Sequence, residues 1–288
     1  MTTAVEAREK STVLIEALPW FRMYGGRTMV VKIGGQPLEN AEVRDAVVED
    51  IALLAQVGVR VIVVHGAGPQ ITQAMERAGL EASFVDGLRV TDDQTMDIIA
   101  RELLGSINME LVLAFKRAGL SAIGVSGSDG GVLEARVAST SSGRSLGRVG
   151  AIRSVRAGLL GHLLDGGFIP VLASLAPTED GMLLNVNADE VAGAVAGAVQ
   201  ADKLAYLTNV DGLYEDLGDG DSLISEISHD ELAAMLPRLA SGMIPKARSA
   251  LDALEKGVAK VHLLDGRVPH SLLVEIFTDE GIGTQVVT

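Results

Sequence analysis

Val59-Arg-Val-Ile-Val-Val-His-Gly-Ala-Gly-Pro69 runs from a β-branched stretch straight into two glycines and a proline. A run this short and this apolar suits a strand buried on both faces in a parallel sheet. Residues 70–78 then read as a helix, with Gly79 placed to end it. Strand, glycine-rich loop and helix form one unit, and the chain repeats it. Met29-Val-Val-Lys-Ile33 is a second strand, and residues 42–57 set Val43, Val47, Ile51 and Leu54 at helical spacing. Asp92 or Thr91 is positioned to cap a long helix reaching Arg117. Residues 122–125, 169–173, 204–208 and 260–264 read as further strands, and 190–200, 230–239 and 245–256 as helices. The alternation predicts an α/β fold, a three-layer α/β/α sandwich around an open, mainly parallel sheet.

Composition narrows the function. The 288 residues are 48% hydrophobic but only 3% aromatic, so Ala, Val, Leu and Ile must fill the core. A net charge of −14 without a Lys/Arg cluster excludes nucleic acid as a partner, since phosphate neutralisation needs a basic face. The absence of cysteine excludes disulfides, zinc thiolates and a cysteine nucleophile. The first ten residues are polar and form no secretory signal. No stretch reaches the roughly 20 apolar residues a membrane helix needs. The expected location is the cytoplasm, with no membrane partner.

Two segments depart from the alternation. Residues 130–150 read as a β-hairpin with a polar Ser/Gly tip. Residues 11–21 form an amphipathic helix ahead of the first strand, set apart by Gly25-Gly26. Such an extra helix serves either as a partner contact or as packing on its own domain.

Five places carry chemistry. Lys32-Ile-Gly34-Gly35 puts a cation and free N–H groups at a strand's carboxyl end, where ligands of open α/β sheets collect. His65-Gly-Ala-Gly-Pro69 is a second such junction, and His65 reads better as a structural residue ending the strand than as a catalyst. Arg89, in Asp86-Gly-Leu-Arg-Val-Thr91, offers a planar fork for a carboxylate or forms a surface ion pair. Asn185, Asn187 and Asp189 lie on a turn entering a small-residue helix; the amides suit polar ligand atoms and the carboxylate suits lysines. Lys246 begins a helix after Pro245, where the helix dipole gives it nothing, so an anionic partner is expected.

In their order, Lys-x-Gly-Gly, His-Gly-x-Gly, Gly-Leu-Arg-Val-Thr, Asn-Val-Asn-Ala-Asp, Thr208-Asn-Val-Asp-Gly-Leu-Tyr214 and Gly242-Met-Ile-Pro-Lys246 resemble the N-acetylglutamate kinases of the amino-acid kinase family. The resemblance covers nearly the whole chain. It implies the amino-acid kinase fold, with an N-terminal oligomerisation helix over 1–25, an N-lobe over 26–180 for the acidic substrate, and a C-lobe over 181–288 for ATP. It implies phosphoryl transfer from ATP, with Mg2+ held by the phosphates and water, to the γ-carboxylate of N-acetyl-L-glutamate. No protein metal site is implied. Lys32, Lys246 and Asp189 would be catalytic; Ala67, Gly68, Arg89 and Asn185 would bind the substrate. Gly34, Gly35, Thr208, Asn209, Asp211, Gly212 and Tyr214 would bind ATP. The sequence departs from the family at Ala67, where a third glycine is usual, at Ile33-Gly-Gly-Gln36, and at Ser128. Alanine would be strained at 67 if that position needs φ > 0. A related acceptor such as N-acetyl-aminoadipate is one alternative, and a non-catalytic arginine sensor another.

The tail His270-Ser-Leu-Leu-Val-Glu-Ile-Phe-Thr-Asp-Glu-Gly-Ile-Gly-Thr284 resembles the arginine-inhibited subgroup. By that resemblance Lys203, His262, Glu275 and Gly281 would form an allosteric site for L-arginine, with Glu275 facing the guanidinium and Lys203 the carboxylate. The alternative is a final turn and strand without a ligand. The subgroup also implies a homohexamer, a trimer of dimers joined by N-terminal helices. Several family members bind a PII signalling protein, which makes it a candidate partner.

Overall fold

The computed structural model describes residues 4–288 except 86, 140–144, 217–218, 241 and 279–280, and only the backbone of residues 4–11, 13 and 14. The first half of the chain comprises α1 (Ala4–Tyr24), β1 (Thr28–Ile33), α2 (Ala41–Gln56), β2 (Arg60–His65), α3 (Gly68–Arg77), α4 (Asp93–Ala100), α5 (Asn108–Arg117), β3 (Ala122–Ser126), β4 (Leu133–Ser139) and β5 (Ser145–Val155). The second half comprises α6 (Gly158–Asp165), β6 (Ile169–Ala173), β7 (Leu175–Pro177), β8 (Leu183–Val186), α7 (Ala188–Ala198), β9 (Lys203–Thr208), β10 (Glu226–Ser228), α8 (His229–Met235), α9 (Ile244–Glu255), β11 (Lys260–Asp265), α10 (Ser271–Phe277) and β12 (Thr284–Val287).

The central sheet has eight strands in the order β10-β12-β11-β9-β1-β2-β6-β3. The pairings from β11 through β3 are all parallel, and β12 runs antiparallel to β11. Strand residues alternate between two apolar layers. Val30, Ile62, Leu172, Leu204 and Leu263 face one cluster, and Val31, Val63, Val171, Ala205 and Leu264 face the other. This period of two, buried on both sides, is why the strands read as continuous apolar runs. Burying each such side chain contributes roughly 1.5–3 kcal/mol. The boundary expected at 180/181 falls in the turn between paired strands β7 and β8, and both clusters draw residues from either side of it.

Local chemistry sets the helix ends. The Asn40 side chain accepts from the Glu42 and Val43 amides and starts α2, and Asp92 caps α4 through Thr95 N. Asn187 caps α7. That helix packs on α9 at Gly193, where a Cβ would collide with Ser249, and at Gly197, where it would lie 2.7 Å from Lys256 Cβ. The small-residue pattern of this helix therefore reflects close packing.

Three expectations change. The helix expected to run to Arg117 is interrupted by a π-helical turn at Arg101–Ile107. The N-terminal helix extends to Ala4–Tyr24, longer than residues 11–21, with Pro19 inside it. The tail adds a helix, α10, where the ligand-free alternative had only a turn and a strand; its seven residues follow His270 at φ 61 and carry no side-chain cap to signal them. The hairpin forms as β4 and β5, while its tip at 140–144 lies outside the described residues. Among the described residues no helix is long and apolar enough to cross a membrane.

Candidate active site

Three elements converge at the carboxyl ends of the parallel strands. β1 brings Lys32, the first turn of α7 brings Asp189, and the first turn of α9 brings Lys246. Lys32 Nζ lies 2.9 Å from Asp189 Oδ1, and Lys246 Nζ lies 3.1 Å from Oδ2. Asp189 is buried. Burial alone would raise its carboxyl, but the charges of Lys32 and Lys246 prevail and hold it below the ordinary value. One carboxylate thus fixes two ammonium groups that would otherwise repel.

Two cavities meet at this point. The first, about 270 Å³, is lined by Lys32, Gly34, Gly35, Ala67, Gly68, Arg89, Ser174 and Asn185 among others. The second, about 300 Å³, is lined by Lys32, Gly34, Gly35, Thr208, Asn209, Val210 and Lys246 among others. Lys32 and the two glycines form the shared wall. Among the described lining residues of either cavity there is no carboxylate, so both are cationic pockets in a protein of net charge −14.

The glycines are required by geometry. Gly35 has φ 66, and a Cβ there would strike the Asn209 side chain, whose Oδ1 accepts from Gln36 N at 3.2 Å. A Cβ on Gly34 would sit 2.5 Å from Lys32 Nζ. Ala67 has φ −159, well outside the left-handed region, so the positive-φ strain that alanine would suffer does not arise. Arg89 is buried and has no carboxylate partner among the described residues, which sets aside the surface ion pair. Its Nη2 donates to Gly68 O at 2.9 Å and Thr72 Oγ1 at 2.8 Å, and its guanidinium stacks 4.7 Å above the Phe84 ring. Asn185 lies on β8 rather than in the turn, and its Nδ2 donates to Thr91 Oγ1 at 3.4 Å.

Asp211, Gly212 and Tyr214 stand apart from the lining of the second cavity. Tyr214 donates to Asp211 at 2.6 Å, Arg267 bridges Asp211 and Asp265, and Gly212 packs on Thr284, whose hydroxyl accepts from Leu213 N. They shape the loop that follows Thr208 and Asn209. Ser174, just after β6, also lines the first cavity, and a serine following a strand carries no distinct sequence signal. The described residues hold no group of three or more His, Cys, Asp or Glu side chains arranged for a metal.

A second cluster gathers Lys203, His262, Glu275 and Gly281. Lys203 Nζ lies 3.2 Å from His262 Nε2, and His262 Nδ1 lies 2.7 Å from Glu275 Oε1. Ile282 N and Gly283 N donate to Glu275 Oε2 at 3.0 and 3.2 Å. Gly281 has φ 59, and a Cβ there would come 2.7 Å from Glu275 Oε2. Burial would raise Glu275, but His262 and these amides hold it below its ordinary value. Burial, helped by the Lys260 charge, lowers Lys203 to about 8. Tyr24, at the end of α1, lies with its ring 4.8 Å from Lys203 Nζ, a contact no sequence feature announced. Phe21 and Tyr24 also pack on Phe277 of α10.

Residues 27–265 match the model of the amino acid kinase family. The acetylglutamate kinase of Paenarthrobacter aurescens is 46% identical over 299 residues, covering 99% of this chain and 95% of that protein. Among solved structures, N-acetylglutamate synthase from Neisseria gonorrhoeae complexed with coenzyme A and N-acetyl-glutamate superposes with TM-score 0.87 at 30% identity, over 96% of this chain. The same synthase complexed with coenzyme A and L-arginine gives TM-score 0.82 at 28% identity, again over 96% of this chain. This chain spans 63% and 65% of those two longer chains, just under two thirds.

Proposed function

The chain belongs to the amino acid kinase family, and from that premise we propose that it transfers the γ-phosphoryl group of ATP to the γ-carboxylate of N-acetyl-L-glutamate. The products are an acyl phosphate and ADP, on the route to arginine. The observation that carries the reading is the pair of cation-lined cavities sharing Lys32, Gly34 and Gly35, with no carboxylate among their described lining residues. A dicarboxylate in one and a triphosphate in the other meet across that wall.

The acceptor oxygen attacks the γ-phosphorus while the bond to the ADP oxygen breaks, and ADP leaves with the electron pair. The acceptor carboxylate is already ionised at neutral pH, so no general base is needed. Catalysis is then positioning and stabilisation of charge on the transferring group. Lys32 and Lys246 supply that charge, and Asp189 holds them in register. Arg89, Asn185 and the Ala67–Gly68 loop receive the acceptor. Gly34 and Gly35 present N–H groups to the phosphates, and Thr208 and Asn209 border the nucleotide on a loop kept in shape by Asp211, Gly212 and Tyr214. Among the described residues neither cavity is lined by a carboxylate, so Mg2+ would be held by the ATP phosphates and water and would supply neutralisation of their charge.

L-Arginine is the proposed inhibitor at the Lys203–His262–Glu275–Gly281 cluster. Its support is geometric: a carboxylate for the guanidinium and an ammonium for the effector's carboxylate, with α1 and α10 packed beside them. Ile15, Leu18 and Met23 leave apolar surface exposed on α1, which suits helix pairing between subunits of a trimer of dimers. The lobes 26–180 and 181–288, a cytoplasmic location and a PII signalling protein as partner complete the proposal.

Trapping the acyl phosphate as a hydroxamate tests it. Purified protein with Mg-ATP should act on N-acetyl-L-glutamate in preference to glutamate, aspartate or N-acetyl-aminoadipate, and L-arginine should suppress the signal. Preference for N-acetyl-aminoadipate would move the acceptor, and binding of arginine without turnover would leave a sensor.

A further inference from the structure

Behind the first cavity lies a buried polar pair that the phosphoryl-transfer scheme does not use. His65, the last residue of β2, is fully buried, and burial lowers its pKa to about 4. The ring is therefore neutral at physiological pH and is no general acid. Asn108 Nδ2 lies 3.0 Å from His65 Nε2 and 2.8 Å from Val171 O of β6. A carbonyl oxygen only accepts, so the Val171 contact fixes which end of the Asn108 amide faces it. The second amide hydrogen then points to Nε2, which must accept. The ring proton is left on Nδ1, facing Gly66 O at 3.4 Å.

Asn108 reaches this place because of the π-helical turn. Arg101–Ile107 ends immediately before it, and the extra residue of a π turn rotates the side chains that follow. Opposite, Gly124 of β3 leaves room for the amide: a Cβ there would overlap Asn108 Oδ1.

The consequence lies one peptide further on. In a trans peptide the C=O and the next N–H point in opposite directions, and the described chain has no cis peptide. With Gly66 O turned inward toward the imidazole, Ala67 N–H is turned toward the cavity that Gly66, Ala67 and Gly68 line. We propose that His65 and Asn108 are positioning residues, which by fixing the Nδ1–H tautomer aim the Ala67 amide at a carboxylate of the acidic acceptor. The proposal rests on the acceptor reading given above.

NMR and kinetics test it together. In wild-type protein the long-range nitrogen–proton spectrum of His65 should show a protonated Nδ1 and a bare Nε2 throughout pH 5–8. Adding N-acetyl-L-glutamate should move the Ala67 amide proton downfield, whereas an ATP analogue should not. Asn108→Leu removes both donors at similar volume. It should mix the tautomers and raise the acceptor KM about 10- to 100-fold, the range for losing one charge-assisted hydrogen bond, with the ATP KM changed less than about twofold on the same reasoning. A protonated Nε2 in wild type, or an Ala67 amide indifferent to the acceptor, would overturn the proposal even if Asn108→Leu failed to fold. Absence of turnover on N-acetyl-L-glutamate would instead overturn the acceptor reading, while the tautomer result would stand.

Discussion

Asp189→Asn replaces the charge between the two lysines with a neutral group of the same shape. At 2.9 and 3.1 Å, each contact is worth about 5–6 kcal/mol of attraction at an effective dielectric constant near 20. Desolvation offsets much of this in the intact site, so the net worth of the triad is far smaller. The variant keeps the cost of a buried Lys32 ammonium and a partly buried Lys246 ammonium and loses their counter-ion. Breaking a buried pair from one side destabilises by roughly 3–5 kcal/mol. In a chain this long each kcal/mol lowers Tm by about 2 °C, so a fall of about 6–10 °C is expected. The chemical step should suffer too, because both ammonium groups lose the anchor that aims them. Loss of one preorganised charge-stabilising contact costs about 10²–10³ in kcat. Hydroxamate formation at saturating Mg-ATP and N-acetyl-L-glutamate measures kcat, and calorimetry measures Tm. A variant within threefold of wild-type kcat and melting unchanged would refute the role given to Asp189. A fall in Tm alone, with kcat intact, would make the triad a purely structural brace.

Gly35→Ala forces a left-handed alanine against Asn209; the conformational cost of about 1–2 kcal/mol should lower kcat/KM for ATP about 5- to 30-fold, measured by hydroxamate formation at saturating acceptor. Arginine inhibition should depend on pH through Lys203. Its pKa of about 8 in the empty site rises when an effector carboxylate binds, so affinity is flat below pH 8 and declines above it; inhibition constants between pH 7 and 9.5 check this, and Lys203→Met should abolish the slope. Glu275→Gln should cost arginine binding about 10-fold or more while sparing uninhibited turnover, measured by calorimetric titration. For the proposed hexamer, removing residues 1–25 should leave dimers and weaken inhibition, and light scattering that shows an assembly of unchanged size would defeat this.

Much of the fold was readable because it is local. Buried parallel strands announce themselves as β-branched runs, and Asp92 and Asn187 mark helix starts by side-chain chemistry that acts within three residues. The Lys32–Asp189–Lys246 triad was reachable as three charged residues at the ends of predicted elements. What stayed hidden depends on distance along the chain or on subtle helical phase. His65 and Asn108 are 43 residues apart and meet only after a π turn that no periodicity signals. The buried Asp50 accepts from His270 Nδ1 at 2.6 Å across 220 residues, and this contact helps seat α10. Tyr24 against Lys203 requires α1 to fold back on the sheet. Asp211 and Tyr214 sit in the nucleotide-side motif, but the side-chain directions that turn them away from the cavity follow from Arg267 and Thr284, distant in sequence.

The contrast between cationic cavities and an anionic whole has a consequence for encounter. An approaching dicarboxylate or nucleotide first crosses a repulsive far field set by the charge of −14, and feels attraction only near the mouth. At very low ionic strength the far field extends about 30 Å and slows arrival; at 0.1 M it decays over about 10 Å. Added salt therefore first speeds capture, the reverse of an enzyme whose net charge steers its substrate inward. More salt then weakens the grip of the lysines themselves. Turnover at subsaturating substrate should peak at an intermediate ionic strength.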